Sequence, residues 1–221
     1  MGQRLHDYTL FFREFLRNFH TTGAILPSGR FLAKALARFV REESPQGRRI
    51  LEVGPGTGAV TVQIIAGMGE ADRLDLVELN DAFVEQLRHR FEHEPAFHAV
   101  SDRARVLHSP VEDLPHDEQY DLIVSGLPLN NFAAADVERI LAALTTLLAP
   151  GGTLSFFEYI AVRNARSLVS GPKERARLRG IGKAMHAVLD GGEIHRDAVL
   201  WNVLPAWVHH VRPAAFSSSN A

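Results

Sequence analysis

Apolar positions along the chain alternate between two periods. Short β-branched runs, Arg49-Ile50-Leu51-Glu52-Val53, Leu74-Asp75-Leu76-Val77-Glu78 and Tyr120-Asp121-Leu122-Ile123-Val124-Ser125, have the length of buried strands, and the segments between them repeat apolar residues at helical spacing. The pattern predicts strands near 49–53, 73–78, 104–108, 120–125 and 152–159, and helices near 58–68, 81–93 and 134–148. Ahead of the first strand it predicts a helix over 3–19 and a second over 29–43, N-capped by Ser28. Ala149-Pro150-Gly151-Gly152 ends the helix before the fifth strand; a basic helix near 172–189 and an antiparallel pair at 193–200 and 206–211 complete the chain. Such alternation means right-handed crossovers, hence an α/β, Rossmann-like fold with a mostly parallel seven-stranded sheet. The expected division is an N-terminal helix and lid over 1–27, one domain over 28–213 and a disordered tail over 214–221.

The turn after the first strand carries the chemistry. Gly54-Pro55-Gly56-Thr57-Gly58 joins strand to helix, where glycine permits positive φ and lets a ligand approach bare backbone. Glu78 ends the next strand, the place at which a doubly wound sheet holds a ribose. The spacing is G-x-G-x-G, neither the G-x-G-x-x-G that cradles a pyrophosphate nor a P-loop, so a nucleoside without a diphosphate is implied. Leu51 to Gly58, with Glu78, resembles the first motif of S-adenosylmethionine-dependent methyltransferases. The cofactor-binding candidates are Glu52, Gly54, Gly56, Thr57, Gly58, Glu78, Leu79, Val111, Glu112 and Ser125, with S-adenosyl-L-methionine as cofactor and S-adenosyl-L-homocysteine as product.

Composition narrows this little. A chain of 221 residues, 46% hydrophobic, is long enough for one full core and short for two. The absence of cysteine removes thiolate metal sites, disulfides and cysteine nucleophiles, and no metal is expected. No run is long and apolar enough to span a bilayer. The formal charge of −2 offers no global attraction to polyanions, but it is uneven: residues 1–48 carry eight bases against four acids, and residues 163–183 carry seven bases against Glu174. These clusters read either as solvated helix faces or as contacts with a phosphate-bearing partner.

The first helix sets Tyr8, Phe11, Phe12, Phe15, Leu16 and Phe19 on one face and Arg4, Arg13 and Arg17 elsewhere, an interfacial pattern. Phe11, Phe12, Arg13, Phe15 and Arg17 are the candidate membrane contacts; the plain alternative is that the aromatics roof the cofactor cleft. The expected location is cytoplasmic, on the inner face of the cytoplasmic membrane, with an anionic lipid surface as partner and nucleic acid disfavoured.

Ser125-Gly126-Leu127-Pro128 ends the fourth strand at the sheet edge where α/β proteins bind ligands. It lacks the aromatic after proline that would stack a flipped base. Together with Phe19 to Ser28 and Trp201-Asn202-Val203-Leu204-Pro205-Ala206, these blocks resemble bacterial phospholipid N-methyltransferases, a family related to ribosomal RNA adenine dimethylases. That resemblance spans roughly residues 8–212 and implies methylation of phosphatidylethanolamine to phosphatidylcholine. It departs at Ser109-Pro110-Val111-Glu112-Asp113, where relatives usually show Gly-Asp-Ala near the adenine. The substrate candidates are Tyr8, Gly126, Leu127, Pro128, Phe132 and Tyr159, and the catalytic candidates are Tyr159, His186 and Ser125. An RNA adenine dimethylase, another small-molecule methyltransferase, an aminopropyl transferase and a non-catalytic lipid- or RNA-binding module are the competing readings.

Overall fold

The computed structural model describes residues 27–42, 44–160, 171–201 and 204–213. The predicted helix over 3–19, with Tyr8 and the membrane candidates Phe11, Phe12, Arg13, Phe15 and Arg17, lies outside the described residues, as does the 214–221 tail.

Seven strands form one sheet in the order β3-β2-β1-β4-β5-β7-β6. β1 (Arg49–Val53), β2 (Arg73–Glu78), β3 (Ala104–His108), β4 (Tyr120–Ser125) and β5 (Leu148–Tyr159) pair in parallel, and β7 (Ala206–Val211) inserts antiparallel between β5 and β6 (Glu193–Val199). The five predicted parallel strands and the closing antiparallel pair are thus all present. Between Tyr120 and Leu122 the pairing of β4 with β5 shifts register, which accommodates the Pro150-Gly151-Gly152 interruption inside β5.

Helices cover both faces. α1 (Pro27–Leu36), α2 (Ala59–Ile65) and α3 (Asp81–His93) pack against the face carrying Ile50, Leu74, Leu76 and Leu122. The short α4 (Pro95–His98) follows α3, while α5 (Ala134–Thr146) and α6 (Pro172–Leu189) cover the face carrying Leu51, Val53, Ile123 and Leu154. The period-2 alternation of each strand therefore feeds two separate cores.

The second predicted helix needs correction. It begins at Pro27, so Ser28 lies inside its first turn rather than at the N-cap, and it ends at Leu36, giving way to a 3-10 turn at Arg38–Arg41. Arg48 holds the end of that 3-10 turn. Its guanidinium donates to the carbonyls of Phe39 (3.1 Å) and Val40 (2.8 Å), the acceptors a continuing helix would have used, and is held by buried Asp72 at 2.6 Å.

The strand order reverses between β1 and β4, the switch point at which open α/β sheets bind ligands. There the Gly126 N–H donates to the Val53 carbonyl at 2.8 Å, and a Cβ on Gly126 would stand 2.8 Å from the Gly54 carbonyl oxygen. Only a glycine lets the two loops close to this separation.

Candidate active site

The glycine turn is a left-handed zigzag, with φ of +68° at Gly54, +55° at Gly56 and +82° at Gly58. At Gly54 a side chain is excluded twice, by the backbone and by Leu127, whose Cδ2 would lie 2.5 Å from a Cβ. The turn is tied down from three sides. The Gly54 N–H donates to the Val77 carbonyl of β2 at 3.0 Å, and the Gly58 N–H closes back on the Pro55 carbonyl at 2.8 Å. From α3, Arg90 donates to the Thr57 carbonyl at 2.6 Å. Arg90 is itself fixed by a bidentate pair with Glu94 (2.8 Å for both bonds) and lies 4.0 Å above the Phe97 ring. Nothing in the local pattern marks this arginine, since it meets the turn only when α3 packs on the sheet.

Glu78 is 2% exposed, and burial pushes its carboxyl upward, partly offset by backbone donors. One oxygen accepts from the N–H groups of Leu79 (2.8 Å) and Asn80 (2.9 Å), the other from the Gly56 N–H at 3.0 Å. The acid expected to hold a ribose therefore also ties the end of β2 to the glycine turn. A carboxylate has about four lone-pair sites, so capacity for one further hydroxyl remains beside these three bonds.

Glu52 is different. Alternation along β1 turns it, with Ile50, toward the α1–α2 core, where it is fully buried. Neither carboxyl oxygen, nor the hydroxyl of buried Thr61 on α2, completes a hydrogen bond among the described residues. Burial pushes the Glu52 carboxyl up to about 8; Thr61 lies near enough to ease that shift, and the charge of Glu78 adds to it. An unpaired carboxyl in an apolar core costs several kcal/mol, about 3 for the acid and more for the anion, unless a ligand completes it. It suits a cation.

An adenosyl group bearing a sulfonium and an α-ammonium fits this set: bare left-handed backbone, a buried acid at the end of β2 with an acceptor site to spare, and an orphaned buried carboxyl on β1 two residues before the turn. A profile described as "Methyltransferase domain" matches residues 50–152, which spans β1 to the start of β5. Among curated relatives, the ornithine lipid N-methyltransferase of Singulisphaera acidiphila is 29% identical over 152 residues, covering 68% of this chain and 77% of that protein. The ubiquinone/menaquinone biosynthesis C-methyltransferase UbiE of Azotobacter vinelandii is 29% identical over 54% of this chain, and the match spans only 46% of its own length. Among solved structures, the O-methyltransferase TomG of Streptomyces achromogenes, in complex with SAM, superposes with a TM-score of 0.59 at 17% identity over 94% of this chain and 88% of that one. The O-methyltransferase of Bacillus cereus, in complex with SAH, gives 0.59 at 16% identity over 91% and 90%. Residues 50–152 thus match a methyltransferase domain, and the fold is that of S-adenosyl-L-methionine-dependent methyltransferases. At these identities the structural likeness is one of fold, and the acceptor must be sought in the chain's own residues.

In this methyltransferase domain the adenine candidates lie on a 3-10 turn, Val111–Asp113, after β3. The Val111 side chain is buried in the α5 core, which leaves its backbone as the part free to meet a ligand, and Glu112 is half-buried. The first N–H groups of such a turn have no acceptor within it. Leu79 is half-buried at the end of β2.

The acceptor candidates separate. Ser125 is fully buried, and its hydroxyl accepts a long 3.4 Å bond from the Leu127 N–H, so it braces its own turn. Gly126 and Leu127 are half-buried and Pro128 is buried at the β1–β4 switch point. Phe132, expected at the substrate, is 5% exposed and belongs to the core under α5, and its carbonyl takes a bond from Arg177. His186 is corrected more strongly. It is exposed on the last turn of α6, which leads into Glu193 at the start of β6, and Glu193 pairs with Val211, the end of β7 opposite to the Ala206 that meets Tyr159. It therefore stands toward the end of the sheet away from the glycine turn. Tyr159 lies at the carboxyl end of β5, half-buried on the same sheet face as Glu52, with its ring 5.2 Å from Phe157 and its phenol pushed up by burial. A neutral phenol there is a hydrogen-bonding and cation-holding group, not a base.

Asn130 is the residue sequence reasoning passed over. It is 1% exposed; its Nδ2 reaches the Tyr159 carbonyl at 3.4 Å, and its Oδ1 has no partner among the described residues. The block Ser125 to Phe132 contained it, but only folding places its amide beside the end of β5.

Proposed function

We propose that this chain N-methylates the amine of a membrane lipid headgroup, with phosphatidylethanolamine and its methylated intermediates as acceptors and phosphatidylcholine as product. The observation that carries the reading is the mouth at the carboxyl end of β4 and β5: Asn130, a buried amide that reaches the backbone carbonyl of Tyr159 and has no partner for its Oδ1 among the described residues, the half-buried Tyr159 ring, and no aromatic after Pro128 to stack a base. Such a mouth offers acceptors to an N–H and π-density to a growing cation. The name of the Singulisphaera relative supports a lipid amine, and it makes an ornithine-type headgroup the second acceptor to be tried.

S-adenosylmethionine, when bound, supplies a methyl group already activated on a sulfonium. What remains for the protein is alignment, worth up to roughly 7–11 kcal/mol for a well-placed nucleophile. The amine must also arrive without its proton. If its pKa is like that of lysine, about 10.4, this costs roughly 4–5 kcal/mol at neutral pH, a penalty that an apolar mouth lowers by disfavouring the ammonium form. In this reading Asn130 Oδ1 accepts a remaining N–H and fixes the lone pair's direction, and Tyr159 stabilises the more methylated cation.

The test incubates labelled S-adenosylmethionine with liposomes of phosphatidylethanolamine, of ornithine lipid, and with ribosomal RNA. Label in the phosphatidylethanolamine headgroup is expected, with Asn130→Ala and Tyr159→Leu lowering turnover more than cofactor affinity. Label in RNA but never in lipid would overturn the reading.

A further inference from the structure

A lipid acceptor remains anchored by its acyl chains, so the surface that meets the bilayer must adjoin the mouth of the site. Resting on the lipid reading above, we propose that the described part of the chain has its own bilayer contact: Leu200 and Trp201, directly after β6, together with the exposed side of α1, docking on an anionic lipid surface. The position follows from register. Val199 at the end of β6 pairs with Ala206, and Ala206 pairs with Tyr159. The Ile160 N–H donates to the Pro205 carbonyl at 2.9 Å, which fastens the entry to β7 to the end of β5. Leu200 and Trp201 thus lie at the same end of the sheet as the glycine turn.

The chemistry of the surface is interfacial. Trp201 is 83% exposed, Leu200 62% and Phe31 57%, and all three line one groove of about 920 Å³ between α1 and β6. The same groove is lined by Lys34, Arg38, Arg41 and Arg212 against two acids, Glu42 and Asp197, the latter paired with Arg38. Large apolar side chains are rarely left this exposed in a cluster without a partner. Tryptophan at the rim suits the headgroup level of a bilayer, leucine and phenylalanine the acyl boundary, and a net excess of bases the anionic phosphates. A flat protein partner would use the apolar residues but leave the excess cations unanswered.

The test uses the full chain with Trp207→Phe, which leaves Trp201 as the one tryptophan; Trp207 lies half-buried beneath the Arg196 guanidinium, so a phenyl ring keeps its packing. Vesicles of phosphatidylglycerol with phosphatidylethanolamine should shift Trp201 emission to the blue, brominated acyl chains should quench it, and added salt should weaken both effects. On the parent background, Leu200→Ser with Trp201→Ser should lower vesicle affinity about tenfold while melting temperature and cofactor affinity stay unchanged. Vesicle binding with unchanged Trp201 emission would overturn the inference and assign adsorption to another segment. A blue shift that grows with protein concentration in the absence of vesicles would overturn it in favour of a second copy of the chain. Trp201 insertion without label in any lipid would retire the proposed reaction and leave this surface standing.

Discussion

Replacing Glu52 by Gln should make the empty protein more stable and the cofactor complex weaker. The carboxyl is fully buried without a completed hydrogen bond, and burial has pushed it from 4.5 up to about 8. Because the folded value lies above the unfolded one, the folded chain holds more protons between them. The contribution of Glu52 to stability is thus fully present below about pH 4.5 and is lost as pH rises toward 8. By pH 8 the loss is on the order of 4 kcal/mol, since each tenfold change in proton activity between the two values is worth 1.36 kcal/mol. An amide of the same shape does not titrate. Glu52→Gln should therefore melt higher than the parent by roughly 8–16 °C at pH 8, at about 2–4 °C per kcal/mol for a chain of this size, and the gain should vanish near pH 4.5. Calorimetric titration should show the reverse for S-adenosylmethionine, a loss of about 1.5–3 kcal/mol, the worth of a hydrogen bond to a charged group. In the parent at pH 7, binding should release a proton as the cation ionises Glu52; in the variant it should not. Equal melting temperatures at pH 8, or equal affinity and equal proton release, would refute the assignment of Glu52 as the acid that meets the cofactor's charge.

Other expectations concern the scaffold around it. Gly54→Ala should abolish cofactor binding, because φ is +68° and the new Cβ meets Leu127; adding Leu127→Ala should recover part of the stability but little of the affinity, which thermal melts and calorimetry would separate. Arg90→Met removes the bond to the Thr57 carbonyl and should weaken S-adenosylmethionine binding by about 1.5–3 kcal/mol, an outcome excluded if affinity is unchanged in a variant that melts like the parent. Burial lowers His210 to about 4, while its bond to Asp197 opposes the shift. The unfolded chain therefore binds the extra proton first, so stability is complete above about pH 6.5 and falls toward pH 4 by on the order of 2–3 kcal/mol. In His210→Asn, denaturant midpoints measured across that window should be flatter than in the parent.

Local pattern alone determined much of this protein. Strand periods at 49–53 and 120–125, the helix over 81–93 and the G-x-G-x-G turn are set by residues close in sequence, and the alternation of elements leaves little choice but a parallel sheet with the turn at its carboxyl edge. Glu52 was a candidate by its place before the turn. That it stands unpaired in the core was decided only when α1 and α2 closed over β1. The same closing sent apparently equivalent residues to different fates. Phe132 rotated into the α5 core although Asn130, two residues earlier, faces the end of β5, and His186 went to the far end because α6 descends from the mouth to the start of β6. Arg48 holds a 3-10 turn where the sequence continues its apolar helical spacing, and Arg90 reached a turn 33 residues away. Periodicity reports which face of an element is apolar; it carries no term for which distant carbonyl an arginine will meet, and those long-range bonds are what complete the site.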